Sequence, residues 1–306
     1  MDIKTIALRK QEERFFTKYG VCVRYFNNCK TITDTNKILY HIEKYIANEP
    51  FATSFFFSYV FVYSINKNLF ELQQKLTAIM SKDSLESALN ILARSDTLSN
   101  LKKFIKEHEL DLKTNKNIFL EAIEGQSEFW EYLISKNLNV SINNNSAFIR
   151  SIYYNDEIRS LSLFYHKNFD IKVNTNNMFY AICRSGNISI LKTFIEKSNI
   201  KPEIERNKGL YLAVENGQLE ISKFLLQFEN VNRKTNLYNN RILKMAFKNI
   251  KKSSFYSEKY NNIVELLLKE SNLNHKNIDQ ENIKRLSNTN KKLLNNIFIN
   301  NKLKAF

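Results

Sequence analysis

Four histidines, His41, His108, His166 and His275, are the first side chains to ask about. Imidazole is the commonest metal ligand and the group whose ordinary pKa lies nearest neutrality. None of the four stands at metal-ligand spacing from a cysteine, a carboxylate or another histidine in a clear motif. His108 falls in Lys106-Glu107-His108-Glu109, but adjacent residues on a helix point in different directions, so that run reads as a solvated helix end. The three cysteines, Cys22, Cys29 and Cys183, are odd in number and lack C-x-x-C spacing. A disulfide framework is not expected, and a reducing cytosol is the natural compartment. There is no G-x-S-x-G, no P-loop, no G-x-G-x-x-G and no H-E-x-x-H, and 5 glycines leave little from which to build a phosphate-cradling loop. No cofactor or metal is expected. Catalysis would need scattered residues in the first 80 positions, with Arg14, His41 and Tyr63 the place to look.

The other chemistry on offer is charge. The chain of 306 residues carries a formal net charge of +15. From Val231 to Phe306 there are 16 Lys plus Arg against 5 Asp plus Glu, so most of the surplus lies in the last quarter. Such a field raises encounter rates with acidic proteins, nucleic acid or anionic lipid. Specific nucleic-acid recognition would want a groove-reading helix or a known module, and none is evident. Lysine outnumbers arginine, which favours diffuse attraction over bidentate phosphate recognition. An acidic protein partner therefore ranks first, with nonspecific nucleic-acid or anionic-lipid contact second.

What must position these groups is a repeat of about thirty residues. A compact residue recurs at Ala93, Ala122, Ser151, Ile182, Ala213 and Ala246, at intervals of 29, 29, 31, 31 and 33. Three residues earlier stand Asn90, Phe119, Phe148, Phe179, Leu210 and Leu243, apolar in all but the first. An apolar pair closes each unit at Ile105 (with Lys106), Leu133-Ile134, Leu163-Phe164, Phe194-Ile195, Leu225-Leu226 and Leu267-Leu268. Each unit reads as two short helices. A small residue lies where the first helix meets its neighbour. Gly125, Gly186 and Gly217, or Asn155 and Asn68, end that helix in the left-handed region. Polar turns such as Asn143-Asn144-Asn145 connect the units. No unit can bury its apolar face alone.

The run from Leu212 to Ile221, with Ile263 to Leu268 for a second helix, resembles the ankyrin repeat, a β-turn followed by two antiparallel helices. The resemblance covers about residues 81 to 275, with a weaker copy from 51 in which Phe61, Ser64, Asn68, Leu72 and Leu76 keep register. The family's Thr-Pro-Leu-His opening is absent, with Tyr180 or Tyr211 near where its histidine would be. Arg159 and Ser160 stand where apolar residues are expected. The short period and the Gly-x-x-x-Ile pattern favour this family over tetratricopeptide or HEAT arrays. The resemblance implies an all-α ankyrin-like solenoid of six or seven degenerate helix-turn-helix repeats with helical caps at both ends.

On this reading residues 1–50 form a helical cap or small domain, 51–275 the array, and 276–306 a closing helical cap. The apolar run from Phe51 to Ile65 is too short to span a membrane and reads as a buried helix. The last repeat carries an insertion near 248–260 that mixes lysine with Phe255, Tyr256 and Tyr260. It reads either as a lengthened hairpin with solvated lysines or as a basic, aromatic finger. The resemblance implies protein-protein recognition through a concave face of turns and first helices, by a non-enzymatic monomer. The partner-binding candidates are Glu124, Tyr154, Arg184, Ser185, Glu215, Asn216 and Lys248, extended by Lys251, Lys252, Phe255, Tyr256 and Lys259. The Asn/Lys/Ile bias fits an AT-rich genome, such as that of an intracellular bacterium, a large DNA virus or a protist. For a chain from an intracellular pathogen or virus, family habit extends the expectation to a host-directed effector in the host cytosol. A nucleic-acid or anionic-membrane binder, and an enzyme with an N-terminal site, are the alternative functions.

Overall fold

The structure is a computed structural model and describes residues 53–66, 70–94, 96–231, 241–252 and 257–270, together with residues 40, 288, 290–292 and 294–296. Among the described residues the regular structure is helical, without strands. Two compact units divide the chain, Met1–Asn143 and Asn144–Phe306. In the first, α1 (Thr53–Asn66) pairs with α2 (Phe70–Ile79), α3 (Lys82–Leu92) with α4 (Leu98–Glu107), and α5 (Ile118–Ala122) with α6 (Ser127–Ser135). In the second, the pairs are α7 (Ser146–Tyr153) with α8 (Glu157–Phe164), and α9 (Thr175–Ser185) with α10 (Ile188–Ser198). They continue as α11 (Ile204–Glu215) with α12 (Leu219–Leu226), and α13 (Arg241–Lys252) with α14 (Ser257–Glu270). Within each unit every first helix packs on the next first helix, α1 on α3 on α5, and α7 on α9 on α11 on α13. Second helices stack in parallel with them, α4 on α6 and α10 on α12 on α14. The expected all-α helical repeat stack is present, and α1–α2 is its first described hairpin.

The compact column is where first helices meet. Ala93, Ala122, Ser151, Ile182, Ala213 and Ala246 are each 0% exposed. Phe119, Phe148, Phe179, Leu210 and Leu243 lie beside them, buried. Asn90, the polar exception, is half-buried, and its Oδ1 accepts from Asn115 Nδ2 at 3.0 Å, one repeat on. The first residue of each closing pair from Leu133 onward is buried, while Ile134 and Ile195 are half-buried, and one correction is needed. In α4 the core side chains are Leu101 and Phe104, whereas Ile105 is half-buried. Phe104 keeps the 29-residue interval to Leu133, so the true register lies one residue earlier than the aliphatic pattern suggested.

The two departures in the α7–α8 repeat, Arg159 and Ser160, each find a local partner. Ser160 Oγ donates to Ser151 Oγ at 2.9 Å, both side chains being buried. Asp156 caps α8 by accepting from the Arg159 backbone at 3.0 Å and pairs with the Arg159 guanidinium at 2.6 Å. A buried serine pair replaces an apolar contact at little cost because both hydroxyls are bonded. The apolar run of α1 is a buried helix: Val60, Phe61 and Ser64 are covered, and Ser58 Oγ donates to the Ser84 carbonyl of α3 at 2.6 Å.

Helix ends follow the expected chemistry, with another correction. Asn155, Gly186 and Gly217 have positive φ, of 54°, 93° and 71°. Gly125 does not adopt the left-handed region. What it needs is room, because a Cβ there would run into the backbone carbonyl of Ala93, one repeat back. Asn68 lies outside the described residues, as do residues 1–50 apart from Tyr40 and most of the expected C-terminal cap. Of that cap, Leu294 is buried and Asn290 Nδ2 donates to the Asn261 carbonyl at 2.8 Å.

Asparagine does more than make turns. Asn145 and Asn174 precede α7 and α9 with φ of 57° and 59°, and Asn207, with φ of 58°, is the last of three left-handed residues after which α11 runs regularly. Asn145 Nδ2 reaches the carbonyls of Asp170 at 2.8 Å and Val173 at 2.7 Å, and Asn207 Nδ2 reaches that of Val231 at 2.9 Å. Asn174 Nδ2 donates to the Asn144 carbonyl at 3.1 Å. In the first unit Asn143 Nδ2 donates to Asn117 Oδ1 at 3.2 Å. Each link joins neighbouring turns, and all but the Asn143–Asn117 pair bond a backbone carbonyl.

His108 packs against Phe104, with ring centroids 4.5 Å apart, and against Phe61 at 5.7 Å. Burial holds its pKa below the ordinary 6.5, and the Glu107 charge opposes this more weakly. The folded state therefore favours the neutral ring. Its stabilisation is complete above about pH 6.5 and is lost as pH falls through 6.5 towards the lowered value. We predict that the unfolding midpoint drops on acidification across this window and that His108→Gln flattens the drop, as read by chemical unfolding monitored by circular dichroism. By the same method Leu225→Ala costs about 2–5 kcal/mol and Phe104→Ala about 3–5 kcal/mol, with Ile105→Ala costing less than Phe104→Ala. Asn207→Ala costs about 2–4 kcal/mol, from a lost buried hydrogen bond and an alanine at positive φ. Asn207→Gly recovers about 1 kcal/mol or more of that, because only the amide is lost.

Candidate functional site

Past the compact column the first helices carry a surface column two residues on, and three residues on a mixed one that ends in the buried Asn249. In the second unit the former runs Tyr153, Arg184, Glu215, Lys248, and the latter Tyr154, Ser185, Asn216, Asn249. Helical geometry sets this order, because residues past the buried position turn towards the helix end and its loop.

Of the candidates, Tyr154 is exposed and accepts from Arg150 Nη2 at 3.4 Å, with the guanidinium 5.6 Å from its ring centre. Arg184 is half-buried and donates through Nη1 to Tyr153 Oη of the preceding repeat at 3.2 Å. Ser185 is turned inward, with Oγ donating to the Ile182 carbonyl at 3.0 Å. The Asn216 amide donates to the Leu212 carbonyl at 2.9 Å. Glu215 is half-buried, and its backbone carbonyl accepts from Asn249 Nδ2 at 2.9 Å and Tyr260 Oη at 2.8 Å. Lys248 is exposed on α13. Glu124 is exposed in the first unit, 3.4 Å from Arg94 Nη1, which also pairs with Glu121 through Nη2.

The insertion lengthens both helices of its hairpin. Lys251 and Lys252 belong to α13, while Phe255 and Tyr256 lie outside the described residues. Lys259 folds back on the preceding repeat, donating to the Asn216 carbonyl at 3.2 Å, and a Cβ at Gly217 would strike its side chain. The same device appears one repeat earlier. Gln218 Nε2 crosses Gly186 to donate to the Arg184 carbonyl at 2.9 Å, and a Cβ at Gly186 would come within 2.5 Å of Gln218 Oε1. These glycines clear a path for a capping side chain from the next repeat.

Sequence reasoning missed a ladder of cations laid on tyrosines between repeats. Lys208 Nζ sits 4.3 Å from the Tyr180 ring centre, and the Arg241 guanidinium 4.5 Å from that of Tyr211. Such contacts contribute roughly 0.5–1 kcal/mol at exposed sites. Lys208 also lies 2.8 Å from Glu205 and holds that carboxyl below its usual range. Burial, and then Glu205, pushes the Tyr180 hydroxyl up. The available signal was the pair of tyrosines 31 residues apart, each followed by a cation 28 or 30 residues later.

Charge is divided by helix type. In the second unit the first helices α7, α9, α11 and α13 carry nine basic and two acidic residues. The second helices α8, α10, α12 and α14 carry six of each. In the first unit the first helices carry one basic and three acidic residues. Among the described residues no group of His, Cys, Asp and Glu could hold a metal ion, and no helix is long and apolar enough to cross a membrane. Cys183 is a free, fully buried thiol, its pKa pushed up by burial. Of the residues named for an N-terminal active site, Arg14 and His41 lie outside the described residues and Tyr63 is half-buried in α1.

No solved structure matches the chain. An ankyrin repeat protein of Acanthamoeba polyphaga mimivirus is 26% identical over 155 residues, which are 48% of this chain and 39% of that protein. The matched region thus spans about two fifths of the relative's length. Residues 178–279 match the ankyrin-repeat family as three copies, beginning in α9 and running past α14. Residues 178–279 therefore carry ankyrin repeats.

Proposed function

We propose that this chain is a protein-recognition scaffold that grips its partner with the first helices and turns of residues 144–252. Ankyrin repeats are in general protein-protein interaction modules. The single observation that carries the reading here is the unequal division of charge, nine basic to two acidic on first helices against six to six on second helices. Drift in composition would load both helix types alike. A surface on one side of a stack, renewed once per repeat, is what a macromolecular ligand reads.

Tyr154, Arg184, Glu215 and Lys248 are the contact residues we favour, with Tyr153 added. Ser185 and Asn216 serve the same turns, but their side chains also hold their own helix ends. Lys251, Lys252, Phe255, Tyr256 and Lys259 would extend the grip at the last hairpin, and Glu124 would do so from the first unit. The activity we propose is binding without catalysis, by a monomer working in the cytosol. The viral relative is in keeping with a host-directed role.

A photo-crosslinking amino acid placed singly at Tyr154, Arg184 or Lys248, and at Lys192 or Lys223 on second helices, tests this in lysate of the organism that encodes the chain. The expected result is protein adducts from the first set and few or none from the second. Equal labelling from both sets, or adducts to nucleic acid alone, sinks the reading.

A further inference from the structure

We infer that the partner segment is an acidic polypeptide that runs in register with the repeats and sets a basic or hydrogen-bond-donating side chain opposite Glu215. This rests on the protein-recognition reading and names the chemistry of its ligand.

The surplus of cations is local to one kind of helix in one unit: five of its nine lie on α13, whose hairpin partner α14 carries two basic and three acidic residues. Exposed charges beyond about 8 Å are largely screened at physiological salt, so the cations act on what lies directly against them. Arg184 near the end of α9, and Lys208 and Arg241 near the starts of α11 and α13, rest on tyrosines of the preceding repeat, which orients one cation in each of three successive first helices.

The carboxylate decides between polypeptide and polyanion. Glu215 stands in the surface column between Arg184 and Lys248, and Glu205 stands beside Lys208. A nucleic-acid backbone or an anionic bilayer presents the same sign at every step and would meet Glu215 unfavourably. A polypeptide can be acidic along its length and still place one lysine, arginine or amide at that step. Base stacking is also poorly served, because Tyr180 and Tyr211 already carry a cation on one face. Both bonds at the Glu215 carbonyl are made by its backbone, so the side chain can be changed without losing them.

The test pans a random peptide display library on the full chain, alongside a 20-nucleotide single strand and phosphatidylserine vesicles as probes. The expected winners are peptides of net negative charge with one basic or donor residue at a fixed place. Lys244→Glu with Lys248→Glu weakens them at least about tenfold, while Lys223→Glu with Lys269→Glu, an equal change in net charge, alters binding less than about twofold. Circular dichroism confirms that both double variants keep their helix content. Panning on Glu215→Lys removes the preference for the basic residue. Neutral or apolar winners overturn the inference and leave protein recognition standing. No winners, with the oligonucleotide or vesicles bound and strengthened by Glu215→Lys, overturn both. An acidic peptide whose binding ignores the helix on which lysine is reversed also overturns the inference.

Discussion

First helices approach one another so closely that one position per repeat has no exposed surface, and nearly everything else in the structure follows from that contact. Alanine or serine holds it at Ala93, Ala122, Ser151, Ala213 and Ala246. Close approach brings the neighbouring Phe and Leu column into the core of each unit and brings the loops of adjacent repeats within side-chain reach. Where the column widens to Ile182, the α9–α11 contact is relieved at Gly209, where a Cβ would strike the ring of Phe179. Gly125 gives the same relief against Ala93. Glycine is therefore used here as much for absence of volume as for backbone freedom.

Close packing would be costly if it stranded backbone polar groups away from water. The repeats meet that cost with amides that cross from one unit of the pattern to the next: Asn145, Asn207, Gln218 and Asn249 each satisfy a carbonyl in an adjacent repeat. Left-handed backbone at Asn145, Asn174 and Asn207 suits the residue type, since asparagine tolerates positive φ better than other side chains with a Cβ. An asparagine-rich composition, read first as a mark of genome bias, thus has a structural use at specific positions.

The helical stack was legible because burial imposes a period on apolar residues, and that period survives degeneration of the family's signature. Register was less secure where aromatic and aliphatic residues adjoin, as at Phe104 and Ile105, since either fits an apolar column and only packing separates them. The serine pair Ser151–Ser160 looked like erosion in one dimension and proves complementary in three. The surface was harder to read. Arg184 and Tyr154 lay at foreseeable helix positions, but Tyr153, Lys208 and Arg241 gain meaning only from neighbours about thirty residues away. Charge counted along the chain pointed to the last quarter, whereas charge counted by helix type marks a face.

Hydrogen bonds between repeats have one further implication, for synthesis. The bond from Gln218 to Arg184 spans 34 residues and that from Tyr260 to Glu215 spans 45, so each hairpin is completed by chain made shortly after it. A nascent polypeptide of this kind settles in steps as it leaves the ribosome, always with one unfinished hairpin at its growing end. That end is where a chaperone has something to hold.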